Sequence, residues 1–289
     1  MKAADFIYHR ALSIDEAVRL LRDYDGSARI LAGGQSLVPM LNMRLLRPAA
    51  LIDVNGIEEL SGIEIRGEET VLGALVRHYM VETSPVIAAR LPLLARMIRN
   101  VADRQVRNRG TIGGSLVQGD PTGEMPLGCL VLGAQVQVLG PNGTREIDMR
   151  NFYEGSYAAA LAPDEMLREI IFPKPPAHFA FHELNRRHND FAVLSIAAIG
   201  DRGDDGIWHN VRLGLGGVHD TPILIDEASG LLEGTRLSDA DLAAAGDAAE
   251  RASAPPSDMR ASEEYRRHLI KVYVPRVLRS LRATSLTVH

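Results

Sequence analysis

The sequence predicts an α+β protein built from two or three compact units. At 289 residues the chain is long enough for about two domains of ordinary size. Helical and strand-like hydrophobic patterns alternate along it, and 46% of its residues are hydrophobic, which favours packed cores over a disordered chain. The run Pro173-Lys174-Pro175-Pro176 predicts a domain boundary, because proline lacks an amide donor and disfavours helix in the preceding residue.

The first part of the chain predicts a small unit of alternating helices and strands. Ser13 and Glu16 form a capping-box pattern, which begins the first helix. A short buried strand over 28–31 leads into the glycine-rich segment 32–36, and a second helix and a strand over 51–54 follow. The unit is expected to end with this strand.

The second part predicts hairpins and helices around another glycine-rich segment. Hairpins are expected over 63–73 and around Pro141-Asn142-Gly143. A helix begins at Pro92 and leads towards the glycine-rich segment 110–115, and an apolar helix is expected around 127–132.

The last third predicts a three-stranded sheet with helices. The strand patterns occupy 179–183, 193–199 and 211–215. Helices are expected at 238–252 and after Pro255-Pro256, and the last helix is expected to place Arg266 away from its apolar face. The predicted units are therefore 1–55, 56–176 and 177–289.

Charge and cysteine content exclude several classes of protein. Lys and Arg number 32 against 37 Asp and Glu, so the net charge of -5 provides no basic excess for binding nucleic acid. Cys129 is the only cysteine, which excludes an internal disulfide and an iron–sulfur cluster held by this chain alone. No stretch approaches eighteen apolar residues and no secretory leader is recognisable, so a soluble cytoplasmic protein without a membrane span is expected.

The two glycine-rich segments are the strongest candidates for a binding site. Glycine pairs allow positive φ and carry no Cβ, so backbone amides can approach an anion such as a phosphate closely. Ser36, Thr111 and Ser115 would add hydroxyl donors. The alternative is that both segments are only tight turns.

Other motifs are absent or weak. No Gly-Lys-Ser/Thr phosphate loop, strand-linked G-x-G-x-x-G or nucleophile elbow occurs, and the nine histidines include no H-E-x-x-H. Cys129 lies among leucines and valines and is expected to be a buried apolar residue. Glu124 could accept hydrogen bonds from a ribose, although a charge at a helix start explains it equally well.

The glycine-rich segments carry a family resemblance. Residues 32–39 and 109–115, with Asp120-Pro121 and Glu124, resemble the paired signatures of the FAD-binding medium subunits of molybdenum hydroxylases. This is the family of carbon monoxide dehydrogenase, quinoline oxidoreductase, nicotine and caffeine dehydrogenases, and the xanthine dehydrogenase flavin subunit. Residues 186–192 and 260–266 resemble motifs of its C-terminal domain, so the resemblance spans essentially the whole chain.

The resemblance implies a fold and a set of FAD contacts. The expected fold is a two-subdomain FAD-binding fold of the PCMH or vanillyl-alcohol-oxidase type, followed by a C-terminal α+β domain of the CO dehydrogenase flavoprotein type. The implied cofactor-binding residues are Ala32, Gly33, Gly34, Gln35, Ser36, Leu37, Val101, Thr111, Ile112, Gly113, Gly114, Ser115, Glu124, Leu167 and His182. Glu124 would bind a ribose and Val101 would lie against the isoalloxazine ring. No catalytic side chain and no metal ligand is implied.

The resemblance also implies an electron relay. A large partner subunit would oxidise the substrate at a molybdopterin cofactor, and a small partner with two [2Fe–2S] clusters would pass electrons to FAD in this chain for an external acceptor. A dimer of heterotrimers is expected. The sequence names neither substrate nor acceptor, although residues 186–192 favour an aromatic N-heterocycle. Two alternatives are a self-sufficient FAD-dependent oxidoreductase of the same fold and a flavin-free assembly module.

Overall fold

A computed structural model describes residues 2–283, which form two compact units assembled from separate stretches of chain. The amino-terminal unit contains the described residues up to Val81 together with Asp103–Gln118 and Ala134–Pro173. The carboxy-terminal unit contains Glu82–Ala102, Gly119–Gly133 and the described residues from Lys174 onward. Helices and strands occur in both units, so the predicted α+β class is confirmed. The division into 1–55, 56–176 and 177–289 stays a prediction.

The elements are numbered along the chain. The strands are β1 (Ile7–Arg10), β2 (Ala28–Leu31), β3 (Ala50–Asp53), β4 (Ile63–Arg66), β5 (Glu69–Gly73), β6 (Gln135–Gly140), β7 (Gly143–Asp148), β8 (Tyr153–Gly155), β9 (Ala158–Ala159), β10 (Met166–Phe172), β11 (His178–Leu184), β12 (Leu194–Arg202), β13 (Trp208–Gly216) and β14 (Ile223–Leu224). The α-helices are α1 (Ile14–Asp23), α2 (Leu37–Asn42), α3 (His78–Thr83), α4 (Pro85–Arg90), α5 (Pro92–Met97), α6 (Arg104–Arg109), α7 (Ile112–Gln118), α8 (Glu124–Leu132), α9 (Asp226–Leu232), α10 (Asp239–Ala252) and α11 (Glu263–Ala283). Short 3₁₀ helices occupy Glu58–Ser61, Ile98–Asn100 and Met149–Asn151. No helix among the described residues combines the length and apolarity needed to cross a bilayer.

A parallel sheet of order β1-β3-β2 opens the amino-terminal unit. Helix α1 begins as its sequence predicts, since the Ser13 Oγ accepts a hydrogen bond from the Glu16 amide at 3.2 Å. Strand β1 was absent from the sequence prediction. Ile7 and Tyr8 are more than half exposed, so the strand has no buried face to produce a hydrophobic pattern, and its backbone pairs only with β3.

An antiparallel sheet of order β4-β5-β10-β6-β7 completes the framework of this unit, together with the small β8-β9 pair. The predicted hairpins β4-β5 and β6-β7 are present, and β10 pairs with both β5 and β6. The pairing of β10 joins stretches that are distant in sequence. It therefore depends on tertiary packing that a local pattern does not reveal.

The second glycine-rich segment differs from the predicted turn, because residues 112–115 are helical and begin α7. Glycine is a poor helix former, so propensity predicts a break here. Packing overrides propensity at Gly113, where a Cβ would lie 2.6 Å from the Ala74 carbonyl oxygen. The helix can begin at this place only because glycine leaves that space empty.

The carboxy-terminal unit contains an antiparallel sheet of order β11-β12-β13-β14, against which α9, α10 and α11 bury an apolar core. The prediction of three strands missed the two-residue β14, and it also missed α9. Cys129 is buried in α8, as predicted, and burial raises the pKa of its thiol.

Arg266 corrects the predicted orientation of the last helix. Its side chain is 1% exposed, and Tyr265, expected on the apolar face, is 53% exposed. The guanidinium donates to the carbonyl oxygens of Val193 at 2.5 Å and Gly217 at 2.7 Å, and to Asp258 at 2.9 Å. The buried positive charge is stabilised because the guanidinium is hydrogen-bonded to two backbone carbonyl oxygens and to a carboxylate.

Replacing Arg266 by alanine is expected to destabilise the protein by about 3 kcal/mol or more, because Asp258 and two backbone acceptors lose their partner. The neighbouring Arg267→Ala removes the ion pairs with Glu250 and Glu263 at the surface and should cost much less stability, because solvent screens these pairs. Urea unfolding of both variants measures the difference. Equal losses would contradict a structural role for the buried guanidinium.

Candidate functional site

The first glycine-rich segment follows the carboxyl end of β2 and leads into α2. Gly34 has a φ of +73°, a conformation that glycine adopts without strain. Within the described residues, no hydrogen-bond acceptor pairs with the backbone amides of Gly34, Gln35 and Ser36. These amides are therefore available to an anion.

The second glycine-rich segment lies between α6 and α7 in the same unit. Thr111 is buried and forms an isolated antiparallel bridge with Arg77. The Thr111 hydroxyl oxygen accepts from the Gly114 amide at 3.1 Å, and a Cβ on Gly114 would lie 2.7 Å from that oxygen. Glycine is therefore required here for local packing as well as for any approach by a ligand.

The two segments meet at Gly33. A Cβ at this position would overlap the Arg109 carbonyl oxygen and would lie 2.9 Å from the Gly110 Cα. Neither contact atom belongs to a flexible side chain, so an alanine would have to push the two segments apart. The structure thus brings together the segments that the sequence identified separately.

A cavity of about 430 Å³ lies along the first segment. It is lined by Gly33, Gly34 and Gln35, and by the polar residues Asp53, Asn55 and Arg109. The phenol of Tyr8 donates to Asp53 at 2.5 Å, and this bond together with those from Asn55 outweighs burial and lowers the pKa of the Asp53 carboxyl. The free amides suit the phosphates of a ligand, whereas the ionised Asp53 carboxylate suits hydroxyl donors rather than an anion.

His78 lies beneath the second segment and was not singled out by sequence. Burial lowers the pKa of its imidazole to about 4, so the ring is neutral at neutral pH. Its Nε2 lies 3.3 Å from the Ser115 hydroxyl, and its backbone amide donates to the Gly110 carbonyl oxygen at 3.0 Å. His78 therefore contacts both ends of the glycine-rich segment.

Of the remaining predicted residues, Leu167 lies in the amino-terminal unit and Val101 and Glu124 in the carboxy-terminal unit. Leu167 is buried in β10 opposite Val138 of β6. Val101 is half-buried and extended, after the 3₁₀ helix Ile98–Asn100, so the one helix expected from Pro92 to the second glycine-rich segment is instead interrupted here and resumes as α6. Glu124 is the first residue of α8. The roles predicted for these three residues stay predictions.

Glu183 is a second carboxylate that interacts with Glu124, and it was not identified from the sequence. Its carboxylate accepts from the Asn185 amide at 3.1 Å and from the Ser195 hydroxyl at 3.3 Å. Removal from solvent raises the pKa of Glu124, and the negative charge of Glu183 raises it further. Removal from solvent likewise raises the pKa of Glu183. The two carboxyls therefore retain protons at a pH where exposed glutamates are ionised.

His182 is adjacent to Glu183 in β11, and consecutive residues of a strand point to opposite faces. The His182 ring stacks on Tyr273 of α11, with centroids 5.3 Å apart and an angle of 6° between the planes. Loss of solvent around the ring and the charges of Arg96 and Arg276 lower its pKa. The predicted flavin contact of His182 stays a prediction. The alternation of the strand was the signal that could have drawn attention to Glu183.

The arrangement favours binding over side-chain catalysis. The described residues contain no group of His, Cys, Asp and Glu that could hold a metal ion. The free amides of the first segment and the cavity beside them suit an anionic ligand with an extended polar portion, such as a dinucleotide. The first segment therefore fits the pyrophosphate of FAD, whereas the amides of residues 112–115 already donate to acceptors within the chain.

Comparisons with known proteins agree with this geometry. The family model described as the FAD binding domain in molybdopterin dehydrogenase matches residues 3–175, and that of the CO dehydrogenase flavoprotein C-terminal domain matches residues 179–281. A subunit of 6-hydroxypseudooxynicotine dehydrogenase from Paenarthrobacter nicotinovorans is 37% identical over 96% of this chain and 95% of its own length. The carbon monoxide dehydrogenase medium chain of Afipia carboxidovorans is 36% identical over 99% of both chains. The solved carbon monoxide dehydrogenase from Oligotropha carboxidovorans superposes with a TM-score of 0.96 at 36% identity, covering 99% of this chain and 100% of its own.

The two raised carboxyl pKa values predict a specific pH dependence of stability. Between the ordinary glutamate pKa of 4.5 and the raised values, the folded chain binds more protons than the unfolded chain. The free energy of unfolding of flavin-free protein should therefore fall as pH rises through this window. Glu124→Gln or Glu183→Gln should make the fall less steep, and urea unfolding between about pH 4.5 and 8 measures the slope.

The exposed Glu264 provides the matched control, since Glu264→Gln leaves the pair intact and should keep the wild-type slope. Identical slopes in the wild type and in both pair variants would show that the two carboxyls titrate as ordinary surface groups.

Proposed function

We propose, because the chain belongs to the FAD-binding medium subunits of the molybdenum hydroxylases, that its two glycine-rich segments hold the pyrophosphate of FAD. The chain is the FAD-carrying electron-transfer subunit of a molybdenum hydroxylase complex and therefore an oxidoreductase subunit. When bound, FAD supplies the redox chemistry, since it exchanges electrons both singly and in pairs. The protein supplies binding, orientation and electrostatics.

The observation that carries the proposal is the meeting of the two segments at Gly33. In the part of the chain that the structure describes, the amides of Gly34, Gln35 and Ser36 have no acceptor, and they directly follow Gly33, where a Cβ would overlap the Arg109 carbonyl oxygen. Backbone amides fixed in this way interact with a diphosphate without the entropic cost of ordering long side chains. Arg109, which lines the same cavity, is a cationic residue and so favours a negatively charged ligand nearby.

Other residues have more specific proposed roles. Glu124 would bind a ribose hydroxyl, and its retained proton would let it donate as well as accept a hydrogen bond. Val101 would lie against the isoalloxazine ring, while Leu167 and His182 would make further flavin contacts. Each of these roles is inferred from the position that the residue occupies in the family's motifs.

The proposed complex follows from the same family membership. A small subunit with two [2Fe–2S] clusters would deliver electrons, and a large subunit with a molybdopterin cofactor would oxidise the substrate. A dimer of heterotrimers, an external acceptor and a cytoplasmic location complete the proposal. Cys129, the only cysteine of the chain, is buried and protonated, which supports placing the clusters on a partner.

Gly33→Ala and Gly34→Ala should each weaken FAD binding roughly tenfold or more. The first variant forces the segments apart and the second places alanine at positive φ, which costs about 1–2 kcal/mol. Flavin released from purified protein and titration of flavin-free protein with FAD measure the loss. Gly67→Ala is the control, since Gly67 also has positive φ but no atom within 4 Å of its would-be Cβ. Full FAD content in both site variants would refute the assignment of the segments.

The isolated chain is expected to show no oxidation of organic substrates with an artificial acceptor, because in the proposed complex the large partner subunit oxidises the substrate and this chain serves as an electron carrier. Its FAD should be reduced once the iron–sulfur partner and a reductant are added. Substrate turnover by the isolated chain would instead support a self-sufficient oxidoreductase. A chain that binds no FAD would support the flavin-free assembly module.

A further inference from the structure

Asn55 ties the first glycine-rich segment to the end of the parallel sheet. It lies two residues beyond β3, and its side-chain amide donates to the carbonyl oxygens of Ala32 at 2.9 Å and Leu31 at 3.3 Å. The same amide donates to Asp53 at 2.6 Å. The side-chain oxygen of Asn55 is left to accept a bond from another group.

Arg77 continues this connection to the second segment. One terminal nitrogen of its guanidinium donates to the Asn55 side-chain oxygen at 2.5 Å, and the other donates to the Arg109 carbonyl oxygen. Its backbone pairs with Thr111 in the isolated bridge. Arg77 therefore contacts the second segment through both its backbone and its side chain.

The two hydrogen bonds of the Arg77 side chain complete a hydrogen-bonded connection between the segments. The path runs from the Ala32 carbonyl through Asn55 and Arg77 to the Arg109 carbonyl, which is the oxygen that excludes a Cβ from Gly33. The segments are thus in direct contact at Gly33, and side-chain hydrogen bonds also join them through the same Arg109 oxygen. This arrangement restricts the distance between the two segments.

We propose that Asn55 and Arg77 are positioning residues, which hold the two glycine-rich segments at the separation that fits the pyrophosphate of FAD. The inference rests on the proposed role of those segments. A planar guanidinium with donors in a fixed fork can bond two acceptors that lie apart, whereas a lysine ammonium provides a single point of charge. The proposal therefore predicts that shape at position 77 matters in addition to charge.

Titration of flavin-free full-length protein with FAD, followed by flavin fluorescence, tests the proposal. Arg77→Ala, Arg77→Lys and Asn55→Ala should each raise the FAD dissociation constant roughly tenfold to hundredfold, the range expected for losing hydrogen bonds to a charged donor. The double variant Asn55→Ala/Arg77→Ala should bind little more weakly than either single variant, because both act on one path. Added guanidinium should restore much of the affinity of Arg77→Ala.

Arg29→Ala is the matched control. Arg29 belongs to the same unit and also donates to two backbone carbonyls, those of Gly26 and Ala28, but it contacts neither glycine-rich segment. It should keep the wild-type affinity for FAD. The melting temperature of the flavin-free variants identifies general destabilisation, and if Arg77→Ala fails to fold, Arg77→Lys and Asn55→Ala still provide the test.

Three results would overturn the inference. Wild-type affinity in Arg77→Ala or Asn55→Ala would remove the positioning role, and wild-type affinity in Arg77→Lys would reduce it to charge alone. Fully additive losses in the double variant would show that the two residues act separately. These failures differ from failure of the proposed function, in which Gly33→Ala and Gly34→Ala themselves retain FAD.

Discussion

The contact between Gly33 and the Arg109 carbonyl is the constraint on which the candidate site depends. It is a contact between main chains, so no change of rotamer can relieve it. The consequence is that two stretches separated by more than seventy residues lie in direct main-chain contact. The free amides of residues 34–36 follow this contact directly, so a ligand that binds them meets donors that are already ordered, which lowers the entropic cost of binding.

The remainder of the amino-terminal unit explains how this contact is maintained. The parallel sheet delivers the first segment from the end of β2, and Ala74, directly after β5, supports the second segment against Gly113. Thr111, buried and bonded to Gly114, begins the turn that becomes α7. The site therefore depends on sheet edges and helix starts, where backbone groups remain available after secondary structure has formed.

Sequence alone predicted the elements that carry a local signal. The N-cap signal at Ser13 and the turn signal at Pro141-Asn142-Gly143 are short-range features, and both gave correct elements. Strand β1 was missed because an exposed edge strand has no apolar periodicity, and Arg266 was misplaced because a charged residue predicts exposure until its acceptors are known.

The site shows the same limit. Glycine pairs are easy to recognise in a sequence, because they occur mainly at tight turns and where the backbone closely approaches another group. Asn55 and Arg77 are ordinary polar residues 22 positions apart, and they become partners only after β3 and β5 have taken their places in different sheets. Glu183 belongs to no sequence motif, and its raised pKa results from burial in the folded chain.

A site built mainly of backbone groups can be kept while most side chains change, as long as the backbone keeps its path. Relatives with mostly different residues keep nearly the same backbone along the whole chain. Amide donors are indifferent to side-chain identity, provided that no Cβ enters the space that glycine leaves open. The site therefore requires particular residues only at a few glycine positions and at the positions whose side chains fix the distance between the segments. In this chain Asn55 and Arg77 form the hydrogen-bonded connection that can do so, while other residue pairs could satisfy the same two carbonyl oxygens in another sequence.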